Sequence, residues 1–177
     1  MKKIYVILSI LLVAICIFAG CSAPEKIRQA QCWAYDPYEQ TEKYLGLVDY
    51  LLVVEVAEKT ETLFDKELEE PYQKYKVKVK ENIKGKLSTD ELIDMYAGGG
   101  VTPDGKYEYD YGLNKLEGGT YIITGFSASA DTGCYKKGDL VAEIAIELPK
   151  DYKGNEFYEK WVKAYENEVP FKGFGDE

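Results

Sequence analysis

Three tyrosines at alternate positions, Tyr107, Tyr109 and Tyr111, follow a run of glycines and a Thr-Pro-Asp-Gly-Lys turn in the stretch YAGGGVTPDGKYEYDYG. Alternation places the three rings on one side of an extended segment, with Glu108 and Asp110 on the other. Tyrosine offers a rigid, amphipathic ring at small entropic cost. A coplanar trio, with Tyr96 at the near end of the stretch, could therefore stack on sugar rings or anchor a protein partner. The competing expectation is that the rings lie over the mouth of the fold as its own wall. With sixteen tyrosines in the chain, a local trio carries little weight by itself.

Other chemistries find less support. The chain contains no histidine, which removes Ser-His and Cys-His nucleophiles, imidazole acid-base catalysis and His-ligated zinc together. The glycines at 98–100 are not followed by Gly-Lys-Ser/Thr and do not lead into a helix, so neither a phosphate loop nor a nucleotide is expected. Asp104, Glu108 and Asp110 are hard oxygen donors suited to calcium, but their spacing departs from the calcium-loop pattern and the bidentate glutamate is missing. No metal and no cofactor is expected. GFSAS, with Ser127 and Ser129, lacks the last glycine of a nucleophile elbow, which leaves a Ser-Lys dyad as the catalytic option. Lys74, Lys76, Lys78 and Lys80 form a stripe spanning roughly 20 Å of extended chain. It could receive an anionic polymer such as a teichoic acid, or it could be a solvated outer face that discourages edge pairing and balances Glu67, Glu69 and Glu70.

These residues need a scaffold, and its periodicities are strand-like. VDYLLVVEVAEKT is a nearly continuous apolar run. In YQKYKVKVKENIKGK, Tyr75, Val77 and Val79 face one way and the lysines the other. ELIDMY puts Ile93 and Met95 opposite Leu92 and Tyr96. TYIITGF follows an EGG turn, and DLVAEIAIELP puts Leu140, Ala142, Ile144, Ile146 and Leu148 on one face. LFDKELEEP reads as acidic turn. Five strands with regular turns predict a small barrel or sandwich. One helix is signalled over about 154–169, with Asn155 as N-cap, Phe157, Trp161, Ala164 and Tyr165 at helical spacing, and Pro170 as the stop.

The first twenty residues carry Lys2 and Lys3, then an apolar run at 4–18 that ends on small residues, the pattern of an export signal. Fifteen residues fall short of the roughly 20 needed to span a bilayer. The junction Phe18-Ala19-Gly20-Cys21 resembles the lipobox of bacterial lipoproteins, which implies cleavage before Cys21 and diacylation of its sulfur. Two acyl chains anchor stably where one is marginal. Loss of the two leader lysines takes the net charge from −9 to −11, so nucleic acid or an anionic membrane should not be sought through net charge. With Cys16 in the leader and Cys21 acylated, Cys32 and Cys134 remain. Outside the cytoplasm the pair is most simply a disulfide, with two free thiols as the alternative.

Asp49 before the first strand, Lys84-Gly85 at the end of the second, and Gly118 with Tyr121 leading into the fourth resemble the netrin-like domain, the family that includes tissue inhibitors of metalloproteinases. The likeness covers residues 47–148 and implies a mainly β, five-stranded OB-like barrel with the C-terminal α-helix appended. The family's inhibitors depend on a free amino-terminal cysteine in a Cys-x-Cys pattern. Here Cys21 is followed by Ser22 and Ala23, so the family's inhibition transfers badly and stands only among the alternatives.

The sequence thus predicts a signal peptide at 1–20, a lipid-anchored tether and N-terminal segment at 21–46, and a barrel domain with its helix at 47–177. The expected role is a non-catalytic binding module on the extracytoplasmic face of the cell membrane, held by its diacylglyceryl cysteine. Its expected partner is a cell-wall glycan or an envelope protein. The alternatives are a structural accessory lipoprotein of an envelope complex, an envelope serine hydrolase and a protease inhibitor.

Overall fold

A computed structural model of the chain describes residues 23–27, 35–113 and 115–172. Its centre is a hairpin of β2 (Tyr50–Asp65) and β3 (Glu70–Lys84). β4 (Leu92–Gly98) pairs antiparallel with β3. β7 (Thr120–Ser127) pairs antiparallel with β2 and with β8 (Leu140–Leu148). A short parallel contact between Met95–Ala97 and Leu140–Ala142 joins β4 to β8, so each of the five strands has two neighbours and the ladder closes. The protein is therefore mainly β, with a five-stranded sheet and a C-terminal helix, as the periodicities predict.

The interior follows the period of two. Leu52, Val54 and Val56 of β2, Tyr75, Val77 and Val79 of β3, Met95 and Ala97 of β4, and Tyr121 and Ile123 of β7 are all buried in one cluster. Leu113 and Leu116 join it from the segment before β7. Their backbone is held by the Tyr75 hydroxyl, which donates to the Leu113 carbonyl at 2.8 Å and accepts from the Leu116 amide at 3.2 Å.

A second core lies on the outside of the same sheet. Leu51, Val53, Ile122, Ile144 and Leu148 are covered by α1 (Thr41–Leu45) and α2 (Glu156–Glu166). The Tyr44 ring meets Trp161 edge-on at 6.1 Å, and its hydroxyl shares a 2.7 Å hydrogen bond with Thr124. Burial on both faces explains why residues 51–54 read as an unbroken apolar run. The Asn155 side chain caps α2 by accepting from the Phe157 and Tyr158 amides. Inside the helix Tyr158, Trp161 and Ala164 are buried, whereas Phe157 is exposed, so the apolar stripe starts one residue later than the sequence suggests.

Four local expectations change. LFDKELEEP is strand except at its four central residues; the buried Asp65 carboxylate accepts from the Glu67 and Leu68 amides and closes the turn there. The apolar residues of β8 do not share one face. A register shift opposite Thr124 and Gly125 inserts an extra residue, so Leu140 and Ala142 point inward while Ile144, Ile146 and Leu148 meet the helices. Within the segment read as tether, α1 packs Tyr44 and Leu45 into the outer core, so the packed body begins before Leu47. The same segment contains β1 (Glu25–Ile27), which joins β5 (Gly100–Val101) and β6 (Tyr107–Tyr109) in a small second sheet of order β1-β6-β5.

Candidate binding surface

The turn between β5 and β6 forms where the sequence signals it. Gly105 adopts φ +70°, its amide reaches the Thr102 carbonyl at 2.9 Å, and the Thr102 amide reaches the Tyr107 carbonyl at 2.9 Å. Asp104 accepts from the Thr102 hydroxyl at 2.7 Å and from the Lys106 amide at 3.1 Å. These bonds hold its carboxyl below the ordinary aspartate value. Asp104 thus serves the turn, while Glu108 and Asp110 share Lys115 at 3.2 and 3.3 Å. The three acids do not converge on a common point, and no metal-holding cluster occurs among the described residues.

The glycine run allows close approach. A Cβ on Gly98 would come within 3.1 Å of the Tyr111 ring. One on Gly100, which also has φ +127°, would come within 2.8 Å of the Thr62 methyl. The small sheet therefore stacks closely on the far end of the β2–β3 hairpin.

The tyrosine trio divides. Tyr111 lies beyond β6, rests on Gly98 and donates its hydroxyl to Glu70 at 3.0 Å. Burial, reinforced by that carboxylate, pushes its phenol well above the ordinary value. Tyr109 is half-buried, with its ring 6.3 Å from that of Tyr111. Tyr107 remains 39% exposed. Tyr96 is not part of the group: it is 5% exposed, its ring lies 5.8 Å from Tyr135, and Lys74 Nζ stands 5.7 Å from its centroid. Tyr135 in turn meets Tyr72 edge-on at 5.4 Å.

Tyr107 and Tyr109 form one side of a groove of about 490 Å³. Thr102, Pro103 and Asp104 of the turn, with Phe64, Lys66 and Glu69 from the tip of the β2–β3 hairpin, complete it. The sequence gives no sign of the second set, because Phe64, Lys66 and Glu69 sit in an acidic stretch without period. Their contribution depends on how far the hairpin projects, which is a tertiary property.

The other candidates take up structural positions. Lys74 and Lys76 both bind Asp94, at 3.0 and 2.5 Å, Lys78 binds Asp90 at 2.9 Å and Lys80 binds Glu55 at 3.3 Å. The stripe is thus laced to carboxylates on neighbouring elements. The Ser127 amide donates to Asp49 at 2.9 Å. Among the described residues, neither the Ser127 nor the Ser129 hydroxyl bonds to a lysine. Among the described residues Cys134 is in no disulfide and is buried; as a thiol it is pushed up to about 11, by burial and then by Asp65. Cys21 and Cys32 lie outside the described residues. Missed in the sequence is a cluster on Glu81, which accepts from Tyr152 at 3.1 Å, from Lys153 at 2.8 Å and from Tyr158 at 2.9 Å. It ties β3 to the start of α2.

No protein-family model and no curated protein matches this sequence.

Proposed function

We propose that this chain is a lipid-anchored, non-catalytic binding module on the extracytoplasmic face of a cell membrane, built on an OB-like, netrin-like barrel, with the groove beside Tyr107 as its contact surface. The observation that carries this reading is an exposed aromatic ring over a groove shared by two hairpins, in a chain whose other tyrosines of that stretch are committed to packing or to Glu70. The barrel reading is supported by strand order. Numbered along the chain, the five strands close in the order 1-2-3-5-4, with a parallel contact between the third and fifth. The first strand is long enough to pair on both sides, as in a Greek-key barrel of this kind. The anchor reading rests on the leader and on Cys21, and the pairing of Cys32 with Cys134 belongs to the same extracytoplasmic setting.

The test is a pair of substitutions. Tyr107→Ser should lower retention of the protein by isolated cell envelopes severalfold at an unchanged unfolding midpoint. Tyr111→Phe should lower the midpoint through loss of the Glu70 bond and leave retention largely intact. Equal retention of wild type and Tyr107→Ser would remove the groove as the contact surface.

A further inference from the structure

The chain leaving Cys21 is bonded to the tyrosine hairpin almost at once. β1 starts four residues after Cys21 and runs parallel to β6, pairing Glu25 with Tyr107, Lys26 with Glu108 and Ile27 with Tyr109. The Glu25 amide reaches the Lys106 carbonyl at 2.7 Å. Four residues of chain reach at most about 14 Å. A lipid on Cys21 therefore fixes which end of the molecule lies next to the bilayer: the end with the β5–β6 turn, the tip of the β2–β3 hairpin and the groove between them.

The side chains at that end suit an interface. Leu68, Val101 and Tyr107 are 55, 42 and 39% exposed, three of the seven large apolar side chains exposed among the described residues. Lys26 in β1, Lys66 at the hairpin tip and Lys106 in the β5–β6 turn belong to the same segments and are all exposed. Tyrosine and long cationic side chains together are the composition found at the boundary of headgroups and acyl chains. Charge does not supply the attraction: against those three lysines stand Glu25, Asp65, Glu67, Glu69, Glu70, Asp104 and Glu108 of the same segments, so the contact is made by the apolar side chains and the lipid tether rather than by net charge.

From this geometry we infer that the end bearing Leu68, Val101 and Tyr107 docks against the phospholipid headgroup layer of the bilayer that holds the anchor. The inference rests on the anchor reading of Cys21 and goes beyond it by naming the docking surface and its partner. A protein so placed presents its groove to headgroups and its α2 end to the space beyond. Lys84 at the far end of β3 bonds to the Leu45 carbonyl and to Glu168, just past α2. That is roughly 46 Å along the strand from Glu70.

The experiment uses the full processed chain, extracted from membranes and reconstituted into phosphatidylcholine–phosphatidylglycerol vesicles, with an unacylated Cys21→Ser chain in solution for comparison. Both are labelled with an amine-reactive reagent, and each lysine is read by peptide mass. Lys26, Lys66 and Lys106 should label severalfold more slowly on vesicles than in solution, while Lys163 on α2 keeps its rate. Uniform labelling in a sample whose N-terminal peptide carries the acyl mass would overturn the docked orientation and leave the anchor standing. An N-terminal peptide without acyl mass would overturn the anchor, and the orientation with it.

Discussion

Replacing Tyr75 by Phe removes one oxygen from the middle of the core enclosed by the five-stranded sheet. Tyr75 is 0% exposed, and burial pushes its phenol up to about 12. Its hydroxyl is the partner of both the Leu113 carbonyl and the Leu116 amide. The variant leaves these two buried backbone groups without partners, at about 1–3 kcal/mol each, offset by about 1 kcal/mol because a hydroxyl no longer has to leave water. The net loss is about 1–5 kcal/mol. At about 2–4 °C per kcal/mol for a chain of this size, the unfolding midpoint should fall by roughly 2–20 °C.

Tyr121→Phe provides the internal comparison. Tyr121 also faces the interior, but its hydroxyl makes one 3.2 Å bond, to the carbonyl of the exposed Glu117. Water can replace that bond, so the loss should stay below about 1 kcal/mol. Urea unfolding with a shared slope separates the two variants. Hydrogen exchange should also rise at 113–119 in Tyr75→Phe, because that segment links the tyrosine hairpin to β7. Equal midpoints for the two variants would refute the argument that one hydroxyl holds the segment.

Glu81 gives a pH prediction. Burial alone would raise its carboxyl, but hydrogen bonds from Lys153, Tyr158 and Tyr152 outweigh that and hold it below the ordinary value of 4.5. A folded value below the unfolded one means that the contribution is complete above pH 4.5 and is lost as pH falls through the folded value. The stability gap between wild type and Glu81→Gln should therefore be constant from neutrality down to that point and shrink below it; a gap unchanged at pH 3 contradicts this. For the cysteines, the proposed extracytoplasmic setting predicts a Cys32–Cys134 linked peptide in a non-reducing digest, closing a loop worth on the order of 4 kcal/mol. Two alkylatable thiols after denaturation without reductant would exclude the pair.

What the sequence disclosed follows from period and punctuation. The alternation of Tyr75, Val77 and Val79 with lysines survives in the structure because one face of β3 is interior and the other is wet. Asn155 could be read as a cap because capping is local. The misses are non-local or too short to have a period. α1 has five residues and β1 three, too few for periodicity to register. The shift in β8 is set by its pairing with β7, and nothing in DLVAEIAIEL marks where the extra residue goes. Phe157 and Tyr158 are adjacent aromatics, and only the position of the sheet decides that Tyr158 is the one covered. The tyrosine trio could be identified as extended, yet its division into an open ring and a tied one depends on Glu70 and Gly98, which come from other strands.

The groove itself follows from a mismatch in strand length. β2 pairs with β7 only over 50–55, but with β3 it continues to Asp65. The hairpin therefore runs on past its pairing with β7. That extension gives the small sheet a surface to stack on, with Gly100 against Thr62 and Pro71. It also delivers Phe64, Lys66 and Glu69 to the side of Tyr107. A shorter hairpin would leave β5, β6 and β1 without a floor and Tyr107 without an opposite wall. The extension costs exposed strand, which the chain manages with charge: Glu58, Lys59 and Glu61 are all exposed along it, and Lys74 meets Glu61 and Asp94 across the strands. Lysines of β3 are thus engaged along the outer face of the sheet. At the tip, Lys106 pairs with Asp104 at 3.3 Å, while Lys66 lines the groove and Lys26 lies exposed on β1, where a headgroup layer would meet them.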